Sequence, residues 1–163
     1  MLDNFFIRKC DAKDEKAFIE LNIAFMQEVM AENPYWTSLK MPTEEEMKGI
    51  FREALSMSEH IQIFVGEVDS KVVGYANTWT VYSIWSGGKT LTIDDLYITS
   101  SYRRSGYGEK MMEYLIGFAE KKGYRRVQLH AELNNERAHN LYRKLGFNEE
   151  EIMFFMKQID CME

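Results

Sequence analysis

The apolar residues of this chain change period twice. Phe18, Leu21, Phe25 and Val29 recur at helical spacing. That helix must stop at Asn33-Pro34, because proline drives the residue before it out of the α region. Met47, Ile50, Phe51 and Ala54 make a second helical stripe, and Thr43-x-x-Glu46 ahead of it has the spacing of a capping box. From Ile61 onward the period shortens. Segments 61–68, 72–85 and 90–98 (IQIFVGEV, VVGYANTWTVYSIW and TLTIDDLYI) read as three strands. Asp69-Ser70-Lys71 and Ser86-Gly87-Gly88-Lys89 turn between them, which predicts consecutive antiparallel hairpins. The helical period then returns with Met111, Leu115, Phe118 and Ala119, and Gly123 ends it. Residues 126–131 read as a strand. Residues 134–145 read as a helix with Ala138, Leu141, Tyr142 and Leu145 on one face, and 152–159 as a last strand. With a first strand at 5–10, the predicted order is β-αα-βββ-α-β-α-β, an α/β chain with a mixed central sheet. No repeat and no Pro/Ser/Gly linker interrupts it, so 1–163 is expected to be a single domain.

Composition narrows the function classes. Apolar content of 45% and charged content of 28% over 163 residues fit an ordinary soluble protein with a real core. The net charge of −6 argues against a nucleic-acid partner, which needs a basic face. It is compatible with a cationic small substrate. No apolar run approaches the ~20 residues of a membrane span. The opening MLDNFFIRKCDAKDE lacks the basic and apolar regions of a signal peptide. Cys10 and Cys161 are isolated, so free thiols in a reducing, cytoplasmic setting are expected. His60, His130 and His139 have no metal-ligand spacing, and no metal is expected.

The candidate chemistry begins at Arg103-Arg104-Ser105-Gly106-Tyr107-Gly108, directly before a helix. Glycine lets backbone approach a ligand closely, and a helix start carries outward N–H groups and the positive end of the dipole. The turn therefore suits an anion. It is not a P-loop, since no Gly-Lys-Ser/Thr follows. It is not a dinucleotide fingerprint either, since Met111 stands where the third glycine would be. A plain basic loop with a glycine hinge is the competing reading. Upstream, Asp94 and Asp95 stand side by side in an otherwise apolar strand, and regular alternation sends them to opposite faces.

A second segment, NNERAHNLYRKLGF at 134–147, follows at a fixed distance. Together the two segments resemble the GNAT superfamily of N-acetyltransferases, in which R-x-x-G-x-G is followed by N-x-x-A-x-x-x-Y-x-x-x-G-F. The strand and helix order around them is also similar, over nearly the whole chain. The resemblance implies acetyl-CoA as cosubstrate, its pyrophosphate cradled by Arg103, Arg104 and the backbone of Ser105, Gly106, Tyr107, Gly108 and Glu109. A solvated Arg103 is the alternative. It implies backbone bonds from Leu96, Tyr97 and Ile98 to the pantetheine arm, with Asn135 as a further partner; Asn135 is equally a helix cap. It makes the Tyr142 phenol the acid that protonates the leaving thiolate, against a plain core tyrosine. In the polyamine-acetylating branch a carboxylate aligns with Asp94, which implies a base or amine anchor. Asp95 is expected to be structural.

The acceptor is expected to be a small, cationic primary amine. By analogy with the family, Glu28, Glu32, Tyr35 and Trp36 at the junction of the first two helices form part of its wall, with Tyr82 and Trp85 at the hairpin tip. Aminoglycosides, amino acids, protein N-termini and lysines stay open as acceptors, as does a non-catalytic acetyl-CoA sensor. The family often forms homodimers, and the apolar 152–159 segment suits either an interface or the core.

Overall fold

The structure is a computed structural model and describes residues 4–38, 40–157 and 159. It divides into two compact units, 1–130 and 131–163. The first is built on a five-stranded sheet in the order β1-β2-β3-β4-β5. Its strands are β1 (Phe5–Lys9), β2 (Ile61–Val68), β3 (Lys71–Ser83), β4 (Gly88–Ile98) and β5 (Arg126–Leu129). The first four pair antiparallel, whereas β4 and β5 pair parallel, so the sheet is mixed as expected.

Helix α1 (Glu15–Glu32) ends at Asn33, whose extended backbone leads into Pro34. Helix α2 (Glu44–Ser56) starts on the predicted capping box. The Glu46 N–H donates to Thr43 Oγ1 at 3.2 Å, and the Thr43 N–H donates to Glu46 Oε2 at 2.6 Å. Both helices cover one sheet face. Phe18, Ile19, Met47 and Phe51 bury themselves there against Ile63, Val65, Tyr75 and Tyr97.

Helix α3 (Tyr107–Lys121) covers the opposite face, where Phe64 meets Tyr114 and Phe118 at 5.6 and 5.1 Å between ring centroids. Gly123, at φ 70°, ends it in a left-handed cap: the Tyr124 N–H reaches back to the Ala119 carbonyl. The β2–β3 hairpin closes on Asp69 and Ser70, both at positive φ, the geometry whose twist matches its flanking strands.

The second unit holds α4 (Glu136–Lys144), ended by Gly146 with the Phe147 N–H on the Tyr142 carbonyl. The expected strand at 152–159 is not formed. Its described residues carry no strand pairing, and Ile152, Met153, Phe154, Phe155, Met156 and Ile159 are exposed. Strand character there needs a partner edge, which an apolar run cannot supply for itself. Gln158 and Cys161 lie outside the described residues. Among those described, no helix is long and apolar enough to cross a membrane.

Candidate active site

The chemistry gathers where β4 breaks its own pattern. Asn77 of β3 pairs with Asp95, but Thr78 pairs with Ile93, so Asp94 is an extra residue in a β-bulge. Strict alternation would have placed the two aspartates on opposite faces. The bulge absorbs one step. Asp94 lines a cavity with Asn77 and Trp79, and Asp95 accepts a hydrogen bond from the Asn77 amide at 3.3 Å. Both carboxylates therefore share the α1–α2 side of the sheet, which corrects the expectation from alternation. Burial pushes the Asp95 carboxyl up to about 6, the neighbouring Asp94 charge adds to the rise, and the Asn77 bond opposes it.

The cavity beside Asp94 holds about 410 Å³ and is walled by His60, Ile61, Asn77, Trp79 and Thr80 as well. A second, of about 290 Å³, runs between α1, α2 and the sheet over Phe18, Asn22, Met47 and Phe51. Ile61 and Asn77 line both. Sequence reasoning missed His60, Asn77 and Trp79 as wall residues. Asn77 carried one signal, a polar side chain at a strand position whose neighbours on the same face are apolar.

The expected acceptor residues are placed differently. Tyr82 and Trp85, at the β3–β4 hairpin, are 72% and 99% exposed and line neither cavity. Hairpin tips project from the sheet, so aromatics there face solvent. Glu32 is exposed at the end of α1. Tyr35 and Trp36 meet edge-to-face at 5.0 Å in the short helical turn after it. Glu28 is partly exposed and paired: it accepts from the Tyr97 hydroxyl at 2.8 Å and from the Arg103 guanidinium at 2.6 Å.

That pair decides how Arg103 sits. Its Nε also donates to the Ile98 carbonyl at 2.7 Å, and its guanidinium lies 5.2 Å from the Tyr97 ring centroid. Arg103 thus ties the turn to α1 and β4, where an anion contact was expected. Arg104, by contrast, is exposed and takes φ 65°, a left-handed conformation uncommon for arginine. Gly106 follows at φ 79° and caps α3 with no side-chain bond to the helix N–H groups. A Cβ at Gly106 or Gly108 would meet nothing within 4 Å, so the surface is open at both. Tyr107 anchors the helix start, stacked on Phe5 at 4.3 Å. The turn fits a pyrophosphate through open glycines and backbone, with Arg104 beside them; Ser105 is exposed and Glu109 sits in the first helical turn.

Beyond the bulge β4 loses its outer neighbour. Pairing with β5 runs from Thr90–Arg126 to Ile93–Leu129 and goes no further, so Leu96, Tyr97 and Ile98 lie past it. In the second unit, Asn135 is the α4 cap, its Oδ1 accepting from the Ala138 N–H at 3.2 Å. Tyr142 is half-buried with its ring 5.9 Å from Phe147, and burial raises its phenol above the usual tyrosine value.

A thialysine N-epsilon-acetyltransferase of Mus musculus is 35% identical over 77 residues, 47% of this chain and 45% of that protein. Its counterpart in Bos taurus is 35% identical over 75 residues, 46% of this chain and 44% of that protein. The chain thus spans about half the length of the curated relatives it matches. An aminoglycoside acetyltransferase from an uncultured soil metagenomic sample, solved with sisomicin, superimposes with a TM-score of 0.76; it is 21% identical, covering 96% of this chain and 97% of that one. An aminoglycoside N-acetyltransferase solved with CoA gives 0.75 at 15% identity, covering 98% of each chain. At those identities the likeness is one of fold. The model of the acetyltransferase (GNAT) family matches residues 24–147, most of the chain. The chain belongs to the acetyltransferase (GNAT) family.

Proposed function

We propose that this protein moves the acetyl group of acetyl-CoA to a primary amine of a small, cationic acceptor, by direct attack in a ternary complex. The observation that carries the reading is the β4 bulge. It sets Asp94 on a cavity and Asp95 behind the cavity-lining Asn77, on the strand that leads into the open glycine turn. The thialysine specificity of the curated relatives supports a small amine.

Acetyl-CoA supplies the thioester carbon that the amine attacks. The chain must bind it, deprotonate the amine and protonate the sulfur. The glycine turn from Arg104 to Glu109 holds the pyrophosphate, with Arg103 fixing the turn to α1. Backbone groups of Leu96 to Ile98 and the Asn135 amide hold the pantetheine arm. A primary amine has a pKa near ~10 and arrives protonated. Asp94 anchors that ammonium and takes its proton, directly or through a water. Asp95 is a second candidate for the proton, favoured by a carboxyl held at about 6, close to a working pH. As the C–N bond forms and the C–S bond breaks, Tyr142 gives its proton to the thiolate, and the second proton lost by the acylated nitrogen passes through solvent to restore the phenol. Its raised phenol keeps that proton in place through the neutral range. In this reading 1–163 works as one catalytic domain in the cytoplasm, with the exposed apolar run at 152–156 available for a homodimer contact.

Free thiol is measured while acetyl-CoA is mixed with a panel of diamines, thialysine, aminoglycosides and a lysine peptide. Turnover with small amines is expected. Failure to raise the melting temperature with saturating acetyl-CoA would remove the donor site, and binding without turnover would leave a sensor. Tyr142→Phe is expected to keep the acetyl-CoA shift and lose most turnover; unchanged turnover removes Tyr142 from the mechanism.

A further inference from the structure

We propose that Asn77 is an acceptor-binding residue: its Oδ1 takes a hydrogen bond from an N–H of the incoming amine. The proposal rests on the acetyltransferase reading above and gives it a specificity element. Asn77 stands opposite Asp95 at the bulge and lines both cavities. Its Nδ2 donates to Asp95 Oδ2 at 3.3 Å. An ionised carboxylate only accepts, so that bond turns the NH₂ toward Asp95 and leaves the carbonyl oxygen on the other side. Among the described residues, Oδ1 is buried and has no hydrogen-bond partner. Buried acceptors are nearly always paired, and an orphan calls for a donor.

The surroundings say which donor. Asp94 and Asp95 stand on the same side of the sheet, so the local field is negative. It repels carbonyl and anionic groups and draws a cation. A cation that also carries N–H bonds satisfies both the carboxylates and Oδ1; a quaternary ammonium satisfies only the carboxylates. The site therefore selects a primary ammonium over a fully alkylated one. Asp95 acts here as a positioning residue that fixes the Asn77 amide. The oxygen is covered, so seating the donor must shift a wall side chain; Trp79, 38% exposed, lines the same cavity.

The test is calorimetry on the full chain with CoA present, which blocks turnover. The probes are thialysine and thialysine trimethylated at its side-chain nitrogen. Wild type is expected to bind thialysine at least about tenfold more tightly than the trimethylated compound. Asn77→Leu and Asn77→Ala are each expected to lose about tenfold or more for thialysine, the worth of a hydrogen bond to a charged group. Their affinity for the trimethylated compound and their acetyl-CoA melting shift should hold. Variants that bind thialysine like wild type overturn the proposal and leave Oδ1 to an internal water. Wild type that binds both probes equally, or neither, overturns it without reference to any variant. The enzyme reading fails separately, by binding thialysine through Asn77 while releasing no thiol with any amine.

Discussion

Replacing Asp95 by asparagine should make the protein more stable at neutral pH, although it removes a charged group from a hydrogen bond. The folded chain holds the Asp95 carboxyl at about 6, against an ordinary 3.8. Between those values the folded state keeps a proton that the unfolded chain gives up, so stability falls as pH rises across that window. Below it the side chain is neutral in both states and nothing is lost. Above it the native state must keep an ionised carboxylate half-buried beside Asp94. The rise from 3.8 to about 6 is worth about 3 kcal/mol. Asp95 is only partly buried, so solvent screens part of the charge and about 1–2 kcal/mol is the expected gain. Asp95→Asn removes the charge and keeps the shape. For a chain of this size the melting temperature should rise by about 3–8 °C at pH 8. At pH 3, below both values, the two proteins should melt together. Thermal unfolding by circular dichroism across pH 3 to 8 measures this. Equal stabilisation at both ends, or a loss at pH 8, would refute the electrostatic account.

Two further perturbations probe the frame around the site. Asp14, 4% exposed, accepts both arms of the Arg8 guanidinium at 2.7 Å. Burial alone would raise its carboxyl, yet the Arg8 bonds hold it below the usual range, so this stability is present at neutral pH and lost in acid. Arg8→Ala strands the carboxylate and should cost about 3–5 kcal/mol at pH 7.5, less at pH 4.5 where the stranded Asp14 takes up a proton; urea unfolding at both pH values checks this, and a pH-independent cost below ~1 kcal/mol contradicts it. Glu28→Gln weakens the hold on Arg103 and should raise KM for acetyl-CoA about three- to tenfold with less effect on kcat; steady-state kinetics with an unchanged KM would show that the pair does not order the turn.

The helices and strands of the first unit were readable because each carries its own period and its own stop. Thr43 and Glu46 announce α2, Asn33-Pro34 ends α1, and Gly123 ends α3. The glycine turn before α3 was readable because its glycines serve backbone geometry, which spacing records directly. What spacing cannot record is a bulge. Nothing in TIDDLYI distinguishes two aspartates on opposite faces from two on the same face, since the extra step depends on the register with β3. The Arg103–Glu28 pair was hidden for a related reason: the partners are far apart in sequence and each has an obvious reading alone. At 152–159 the apolar pattern was read correctly as apolar and wrongly as a strand, because a strand is a property of two segments.

The bulge also has a meaning for how such a site arises. Without Asp94, Asp95 would still face Asn77 and Ile93 would still neighbour Thr78, but the strand would run straight. The parallel ladder with β5, which stops at Ile93–Leu129, would then have no bend to stop it. The shared face of the two carboxylates depends on one inserted residue. A deletion of a single codon would return this stretch to regular antiparallel pairing, and a single insertion elsewhere could open such a break in a strand.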